Sequence, residues 1–179
     1  MNFDVELFRW LNSWAGVREL WDTLIIFRTE WLGYWVGGAL GLFLIFGKEK
    51  KRELRMVFEA LAASLISRFV FTEIIRYFYN RPRPFEVLQD IYQLVQYDAG
   101  GSFPSGHAAF FFALAASVFF YHRVWGIIFF LAALSIGLGR VSAGIHWPSD
   151  ILGGAVVGIL TSFLVNYFIA RFKSARGGI

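Results

Sequence analysis

The chain has 179 residues, of which 57% are hydrophobic and 20% aromatic, and it carries a formal net charge of +4 with no cysteine. A soluble domain of this size is only about half apolar and the excess here lies in long runs, so composition predicts one integral membrane domain over residues 1–179. Composition excludes disulfides and thiolate metal sites, and because the basic residues cluster at the ends of the apolar runs, we expect a membrane protein that binds no nucleic acid.

The apolar pattern predicts six helices. Residues 3–14 have helical spacing but are too short to cross a hydrocarbon core of ~30 Å, which needs about 20 residues, so they predict a helix lying in the interface. Five longer segments follow, at about 20–46, 56–79, 103–121, 124–142 and 151–172, and their lengths fit spanning helices. The predicted fold is an all-α integral membrane protein, a bundle of about five transmembrane helices plus an N-terminal interfacial helix.

Basic residues in the connections predict the orientation. The 48–55 loop carries five cations, the 122–123 turn is His122-Arg123, and the tail holds Arg171, Lys173 and Arg176. With five spans these regions share one side, which the positive-inside rule makes cytoplasmic. Loops 80–102 and 143–150 then lie outside a bacterial-type inner membrane. All three polar clusters belong to these outer loops or to the adjoining helix ends.

The first cluster is rich in arginine. Arg76 lies near the outer end of the second span, and Arg81 and Arg83 follow it, stiffened by two prolines. The guanidinium group is always charged and matches phosphate oxygens with two hydrogen bonds. A cationic anchor on lipid headgroups is the alternative, but such anchors belong on the cytoplasmic side. The cluster therefore indicates an anion site. The 80–102 loop is long, and ordered loops of this length are typical of a site or a lid.

The second cluster is Pro104-Ser105-Gly106-His107, followed by an apolar helical run. Serine or proline in this position is typical of a helix start, where free N–H groups and the positive end of the dipole favour an anion. Gly106 would let the backbone approach a ligand closely. Simple capping by Ser105, with His107 as a polar interface residue, stays open.

The third cluster places Gly139-Arg140 before His146 and Asp150. A helical turn between His146 and Asp150 would bring the side chains to one face, so that the carboxylate holds one ring nitrogen and leaves the other as a nucleophile. A structural histidine beside a capping aspartate is one alternative. A metal site built from His107, His146 and Asp150 is another, although several converging arginines disfavour a cation. Elsewhere, we expect Arg68 to pair with Glu73 or Glu30 inside the bundle.

Together the three clusters resemble the type 2 phosphatidic acid phosphatase family. The family motifs are K-x-x-x-x-x-x-R-P, P-S-G-H and S-R-x-x-x-x-x-H-x-x-x-D, and residues 76–150 match them in order. Two positions depart from the pattern. Arg76 stands at the lysine position, which keeps the charge but changes its geometry, and Gly139 stands where the family usually has serine.

The resemblance implies a role for each matched residue. His146 would attack phosphorus to form a phosphohistidine, Asp150 would orient it, and His107 would protonate the leaving oxygen and later activate water. The phosphate would be held by a set of cationic and backbone groups: Arg76, Arg83, Arg140, Ser105 and Gly106. Such a site needs no metal and no other cofactor, and we infer no obligatory protein partner.

The resemblance also implies a lipid phosphate substrate whose head reaches the outer leaflet. The short chain and its interfacial helix are similar to bacterial undecaprenyl diphosphate phosphatases, which recycle the carrier lipid of the cell wall. Relatives act on phosphatidylglycerophosphate, phosphatidic acid or lipid A phosphates, and these substrates stay open. A non-catalytic protein that binds or transports anionic lipid also stays open. It would need the arginines but not the pair of histidines.

Overall fold

The structure is a computed structural model that describes the backbone of residues 3–176 and the side chains of residues 3–172. The side chains of Lys173 and Arg176, which the sequence assigns to the cytoplasmic side, lie outside the described residues. Throughout the described range the regular structure is helical, which confirms the all-α prediction.

Nine α-helices and two π-helical turns follow one another along the described chain. They are α1 (Phe3–Asn12), α2 (Glu19–Ile26), the turn π1 (Phe27–Trp31), α3 (Leu32–Phe46), α4 (Lys50–Ile66), the turn π2 (Ser67–Phe71), α5 (Thr72–Phe78), α6 (Pro84–Val87), α7 (Gly106–Tyr121), α8 (Arg123–Ser142) and α9 (Pro148–Arg176). These elements form five long continuous helical rods, which are α2–π1–α3, α4–π2–α5, α7, α8 and α9 in chain order. The first and second rods each contain a π turn.

Several helix boundaries differ from the prediction; the last helix, for example, begins at Pro148 rather than at residue 151. Two of the differences have a clear cause in the sequence. The second rod begins at Lys50 rather than near residue 56. Its first turns are charged, and charged residues are good helix formers, so hydropathy detects only the apolar part of the helix. The third rod begins at Gly106 rather than at residue 103, because Ser105 caps it by accepting a hydrogen bond from the Ala108 N–H at 3.5 Å.

The described chain is a multi-pass integral membrane protein. Three helical stretches are long and apolar enough to cross a bilayer, at Glu19–Phe46, Arg123–Ser142 and Pro148–Phe172. The α7 helix is apolar but has only 16 residues, and the α4–α5 rod carries more charge.

Helix α7 lies at the centre of the bundle and packs closely against α9. Gly154 and Gly158 of α9 face its backbone, and a Cβ at Gly158 would collide with the Ala109 carbonyl oxygen. Small residues of this kind let helices in a membrane approach each other closely. The beginnings of α7 and α9 are joined at the same end of the bundle by a hydrogen bond of 2.9 Å from the Ser105 N–H to the Asp150 carbonyl oxygen.

Candidate active site

His146 and Asp150 form a buried pair where α9 begins. The distance from His146 Nδ1 to Asp150 Oδ2 is 3.2 Å, and the two side chains are 1% and 0% exposed. Asp150 Oδ2 also accepts a hydrogen bond of 2.8 Å from the Trp147 N–H, which is half of a capping box at the start of the helix. His146 thus precedes the helix, and the turn at Trp147 brings the two side chains together.

The other ring nitrogen of His146 faces the arginines of the first cluster. Its Nε2 lies 3.3 Å from Arg83 Nη1, which also donates to the Ile145 carbonyl oxygen at 2.8 Å. Burial lowers the pKa of His146 well below its usual range, and the charges of Arg140 and Arg83 lower it further. The ring is therefore neutral. With Nδ1 donating to the carboxylate, Nε2 carries the free lone pair of a nucleophile.

Three arginines surround this ring and have hydrogen-bond donors left over: Arg83 and Arg140 are buried, and the side chain of Arg76 is 15% exposed. Arg76 donates from Nη2 to the Pro104 carbonyl oxygen at 3.0 Å, and Arg140 donates from Nη1 to the Thr29 carbonyl oxygen at 3.3 Å. In the described part of the chain, four buried side-chain polar atoms lack a hydrogen-bond partner within the protein, and all four are arginine nitrogens. They are Arg76 Nε, Arg83 Nε, Arg140 Nε and Arg140 Nη2. Buried donors without partners are costly, so this arrangement is suited to an anion with several oxygens.

His107 lies in the first turn of α7, on the other side of the same site. Its electrostatic neighbours include Arg140, His146 and Arg76, so the second motif reaches the first and the third. Gly106 beside it leaves room for a cation, since a Cβ there would collide with the guanidinium of Arg68.

The side chain of Ser105 caps α7, which is one of the two roles that the sequence left open. It is fully buried, its hydroxyl caps α7, and its N–H donates to the Asp150 carbonyl oxygen. The capping interpretation therefore describes its side chain, while its backbone ties the second motif to the third. The donors that this segment offers a phosphate reduce to the N–H groups of Gly106 and His107.

The expected pairing of Arg68 is confirmed. Arg68 Nη1 lies 2.5 Å from Glu73 Oε1, and the same carboxylate oxygen lies 3.3 Å from Arg76 Nη1. Glu73 therefore links the two cations next to the site. No group of three or more histidine, aspartate or glutamate residues within residues 3–172 has an arrangement that could hold a metal ion.

Gly139 fills a position with no room for a side chain. A Cβ there would lie 2.9 Å from Arg28 Cβ and 3.0 Å from Thr29 Oγ1, because α8 packs directly on the turn π1. The same close packing brings the Thr29 carbonyl within reach of Arg140. Close packing therefore explains why glycine, and not serine, occupies position 139 in this chain.

Sequence reasoning missed two contributors to the site, Tyr97 and Asp4, and it placed Arg81 in the anion cluster without predicting its carboxylate partners. Tyr97, in the long loop, lies under two cations, with its ring centroid 4.3 Å from Arg83 Cζ and 5.2 Å from Arg140 Cζ. Arg81 binds Asp150, and Asp4 of α1 binds Arg81. The sequence shows Arg81 two positions before Arg83, so its proximity to the site could be predicted. Asp4 and Tyr97 are far from the motifs in sequence, and only the folded chain brings them to the site.

The geometry brings together a neutral imidazole, a second histidine and surplus cationic donors, and this arrangement is suited to an anion. The chain belongs to the PAP2 superfamily, whose family model matches residues 58–174. This membership confirms the resemblance derived from the three motifs.

Some known proteins are similar to this chain over most of its length and others over less than half of it. It is 28% identical to the undecaprenyl-diphosphatase BcrC of Bacillus subtilis (strain 168) over 168 residues, 94% of this chain and 84% of that protein. It is 39% identical over 84 residues to a lipid A 1-phosphatase of Rhizobium johnstonii, which spans 43% of this chain and 33% of that protein. The crystal structure of Aquifex aeolicus LpxE superposes with a TM-score of 0.76 at 29% identity, over 93% of this chain and 96% of that one.

Proposed function

We propose that this chain removes a phosphate from a membrane lipid, converting undecaprenyl diphosphate to undecaprenyl phosphate at the outer face of a bacterial inner membrane. The observation that carries the proposal is the ring of buried arginine nitrogens without protein partners around the neutral His146. A phosphoryl group supplies the charge and the acceptor oxygens that those donors lack.

The reaction proceeds through a phosphohistidine. His146 Nε2 attacks phosphorus, a new N–P bond forms, and the P–O bond to the leaving group breaks. Asp150 holds the imidazole and stabilises the charge that develops on it, while His107 gives the leaving oxygen a proton. Water activated by His107 then cleaves the N–P bond and releases inorganic phosphate. Arg76, Arg83 and Arg140 stabilise the charge on the transferring group without a metal ion.

Five spans and an outward-facing site account for the distribution of charge. The two basic turns at 48–55 and 122–123 meet at one end of the bundle, where Arg52 Nη2 donates to the Tyr121 carbonyl oxygen at 2.6 Å. Loops 80–102 and 143–150 meet at the other end, where the Leu94 N–H donates to the Ala143 carbonyl oxygen at 3.2 Å. By the positive-inside rule the first end is cytoplasmic, together with the C-terminus, and the site faces outward.

A cavity of about 620 Å³ supports a substrate with a hydrocarbon chain. His107 and Glu30 lie in its wall, and the rest of the lining is mostly apolar. Gly37 and Gly41 line it with nothing within 4 Å of where a Cβ would be, so α3 leaves an open trough there. A chain in this trough would place the phosphate end beside the acid that protonates the leaving oxygen.

Undecaprenyl diphosphate is the preferred substrate because the similarity to BcrC of Bacillus subtilis extends over nearly the whole chain. The similarity to the lipid A 1-phosphatase is stronger per residue but spans less than half of it, so a lipid A phosphate is the second candidate. Phosphatidylglycerophosphate and phosphatidic acid are further alternatives. A non-catalytic binder of anionic lipid would use the arginines and leave the two histidines without a task.

Phosphate release from four lipids tests the proposal. Purified protein in detergent micelles is given undecaprenyl diphosphate, phosphatidylglycerophosphate, phosphatidic acid and lipid A, each with and without EDTA. We expect the fastest release from undecaprenyl diphosphate, no effect of EDTA, and no release by His146→Ala. Binding without release on all four lipids would support the non-catalytic alternative, and full turnover by His146→Ala would exclude the covalent mechanism. Loss of release with EDTA, restored by a divalent cation, would contradict metal independence.

A further inference from the structure

The N-terminal helix α1 is connected to the Asp150 carboxylate through two charged side chains. Arg81 Nη1 donates to Asp150 Oδ1 at 3.0 Å, and Arg81 Nη2 donates to Asp4 Oδ2 at 2.6 Å. Asp150 uses its other oxygen, Oδ2, for His146 and for the Trp147 N–H. The contacts therefore form a continuous chain from α1 to the imidazole of His146.

Arg81 differs from the arginines assigned to phosphate. Its guanidinium bridges two carboxylates, contacts Ser149 Oγ at 2.6 Å and lies 5.0 Å from the centroid of the Trp147 ring. None of its nitrogens is among the four buried polar atoms without a partner in the described part of the chain. Arg81 thus binds the carboxylate oxygen of Asp150 that does not face His146, and other protein groups hold it there.

Asp4 holds both Arg81 and the first turn of α9. Its Oδ1 accepts from the Ser149 N–H at 2.9 Å, and its Oδ2 accepts from Ser149 Oγ at 2.7 Å as well as from Arg81. Burial alone would raise the pKa of Asp4, but the hydrogen bonds from Ser149 and Arg81 outweigh it and hold the pKa below its usual value. Asp4 is therefore ionised at neutral pH.

The rest of α1 is fixed against the same region. The buried ring of Phe8 packs on Trp147 with 5.3 Å between centroids, and Asn12 Nδ2 donates to the Ser142 carbonyl oxygen at 2.9 Å. A helix anchored at both ends holds its Asp4 carboxylate in one place, which is what a positioning group requires.

We propose that α1 belongs to the catalytic apparatus, with Asp4 and Arg81 as positioning residues that fix the Asp150 carboxylate and through it the attacking ring of His146. This inference rests on the proposed phosphatase function. Neither residue touches the phosphate. Their loss therefore slows the chemical step and leaves substrate binding unchanged.

Two substitutions that remove a charge and keep a polar side chain test the connection, Arg81→Gln and the isosteric Asp4→Asn. With undecaprenyl diphosphate as substrate, we expect kcat to fall about 100-fold for Arg81→Gln and about 10-fold for Asp4→Asn, with KM within about twofold of the unsubstituted protein. Because both act through the same carboxylate, the double variant should lose no more than Arg81→Gln alone. Glu6→Gln, an exposed position on the same helix, is the matched control and should leave kcat unchanged.

The outcomes separate this inference from the proposed function. Absence of phosphate release by the unsubstituted protein on every lipid phosphate overturns both. Release that depends on His146 while Arg81→Gln and Asp4→Asn keep full kcat overturns the inference alone. A raised KM with unchanged kcat for Arg81→Gln would make Arg81 a phosphate ligand and also overturns it. Independent, multiplicative losses in the double variant break the connection between the two residues. Asp4→Asn keeps the shape of the side chain at position 4 and leaves Arg81 in place. Its kcat therefore tests the inference even where Arg81→Gln fails to fold.

Discussion

Residues 3–172 contain two histidine–carboxylate pairs, which lie near opposite ends of α7. His146 and Asp150 lie at the beginning of α7, with 3.2 Å between Nδ1 and Oδ2, and His122 and Glu53 lie just past its end, with 2.9 Å between Nε2 and Oε2. Both carboxylates are buried. Side-chain exposure is 1% for His146 and 25% for His122.

The two pairs differ in the cations around them. Near His122, Arg52 donates to the Tyr121 carbonyl oxygen and Arg55 Nε lies 2.6 Å from Glu59 Oε1. The His122 ring itself stacks on Phe43 with 5.1 Å between centroids. Around His146 the arginines keep unused buried donors. A histidine paired with a carboxylate is therefore not enough to define an active site. The surplus of cationic donors distinguishes the pair that we propose to be catalytic from the pair at His122.

The largest expected effect comes from removing each histidine in turn. His146→Ala should lower kcat by at least about 10⁴-fold, since it removes the nucleophile. His122→Ala should leave kcat within about threefold and instead destabilise the protein by about 1–3 kcal/mol, because the buried Glu53 loses its hydrogen-bond donor. Phosphate release and thermal unfolding in detergent measure the two effects. Equal losses of activity in both variants would remove the distinction between the pairs.

The second largest expected effect is on kcat/KM and comes from replacing an arginine beside His146 rather than one beside His122. Arg140→Met should lower kcat/KM by about 10²–10³-fold, because it removes donors aimed at developing charge on the phosphoryl group. Its melting temperature should not fall, since an apolar side chain of similar volume replaces a buried cation with unused donors. The matched substitution Arg52→Met should leave kcat/KM within about threefold. A large loss of activity with Arg52→Met would show that the end of the bundle that holds Arg52 also serves catalysis.

Spacing predicted that His146 and Asp150 would pair, but not which side chains hold them. Arg83, His107 and His146 follow from spacing, because the chemistry of phosphate transfer demands those residue types close together. Asp4 is 77 positions from Arg81, and nothing in the local pattern of α1 distinguishes it from Glu6. Pairings of this kind depend on how helices dock, which periodicity does not encode.

The boundaries of the fold show the same limit. Hydropathy located five apolar segments, and three of the helices found there are long and apolar enough to cross a bilayer. The start of the second rod at Lys50 was missed because a helix can continue past the membrane on charged residues. The π turns were missed because they arise from packing, and one of them brings Thr29 to Arg140.

Packing behind Arg140 predicts a smaller, structural effect. Gly139→Ala should destabilise the protein by about 1–3 kcal/mol, since the added Cβ would lie 2.9 Å from Arg28 Cβ and 3.3 Å from the Thr29 backbone nitrogen, and side-chain rotation moves neither atom. Gly38→Ala, in α3 with open space around it, should be neutral or gain up to about 1 kcal/mol from helix propensity. Thermal unfolding of the two variants in the same detergent gives the comparison. Equal melting temperatures would mean that α8 and π1 are less tightly packed than the structure has them.

The smallest predicted effect is the contribution of the buried His146 ring to the pH dependence of the protein's stability. The pKa of His146 is lowered by burial in the folded chain and returns to about 6.5 on unfolding. Below about pH 6.5 the unfolded chain therefore binds a proton that the folded chain does not, and stability falls as the pH falls, by about 1.4 kcal/mol per pH unit for this one group. Above that pH the group contributes no slope.

His146→Gln should therefore lose part of the acid sensitivity of the protein. Between pH 6.5 and 5.5 its melting temperature should drop less than that of the unsubstituted chain, while above pH 7.5 the two should have parallel profiles. His122→Gln is the matched control. Because its ring is partly exposed and lies among paired charges, its substitution should leave the contribution of His146 to the acid slope in place. If His146→Gln and the unsubstituted protein lost stability in parallel on acidification, the imidazole of His146 would be protonated in the folded protein, and it could not act as the nucleophile.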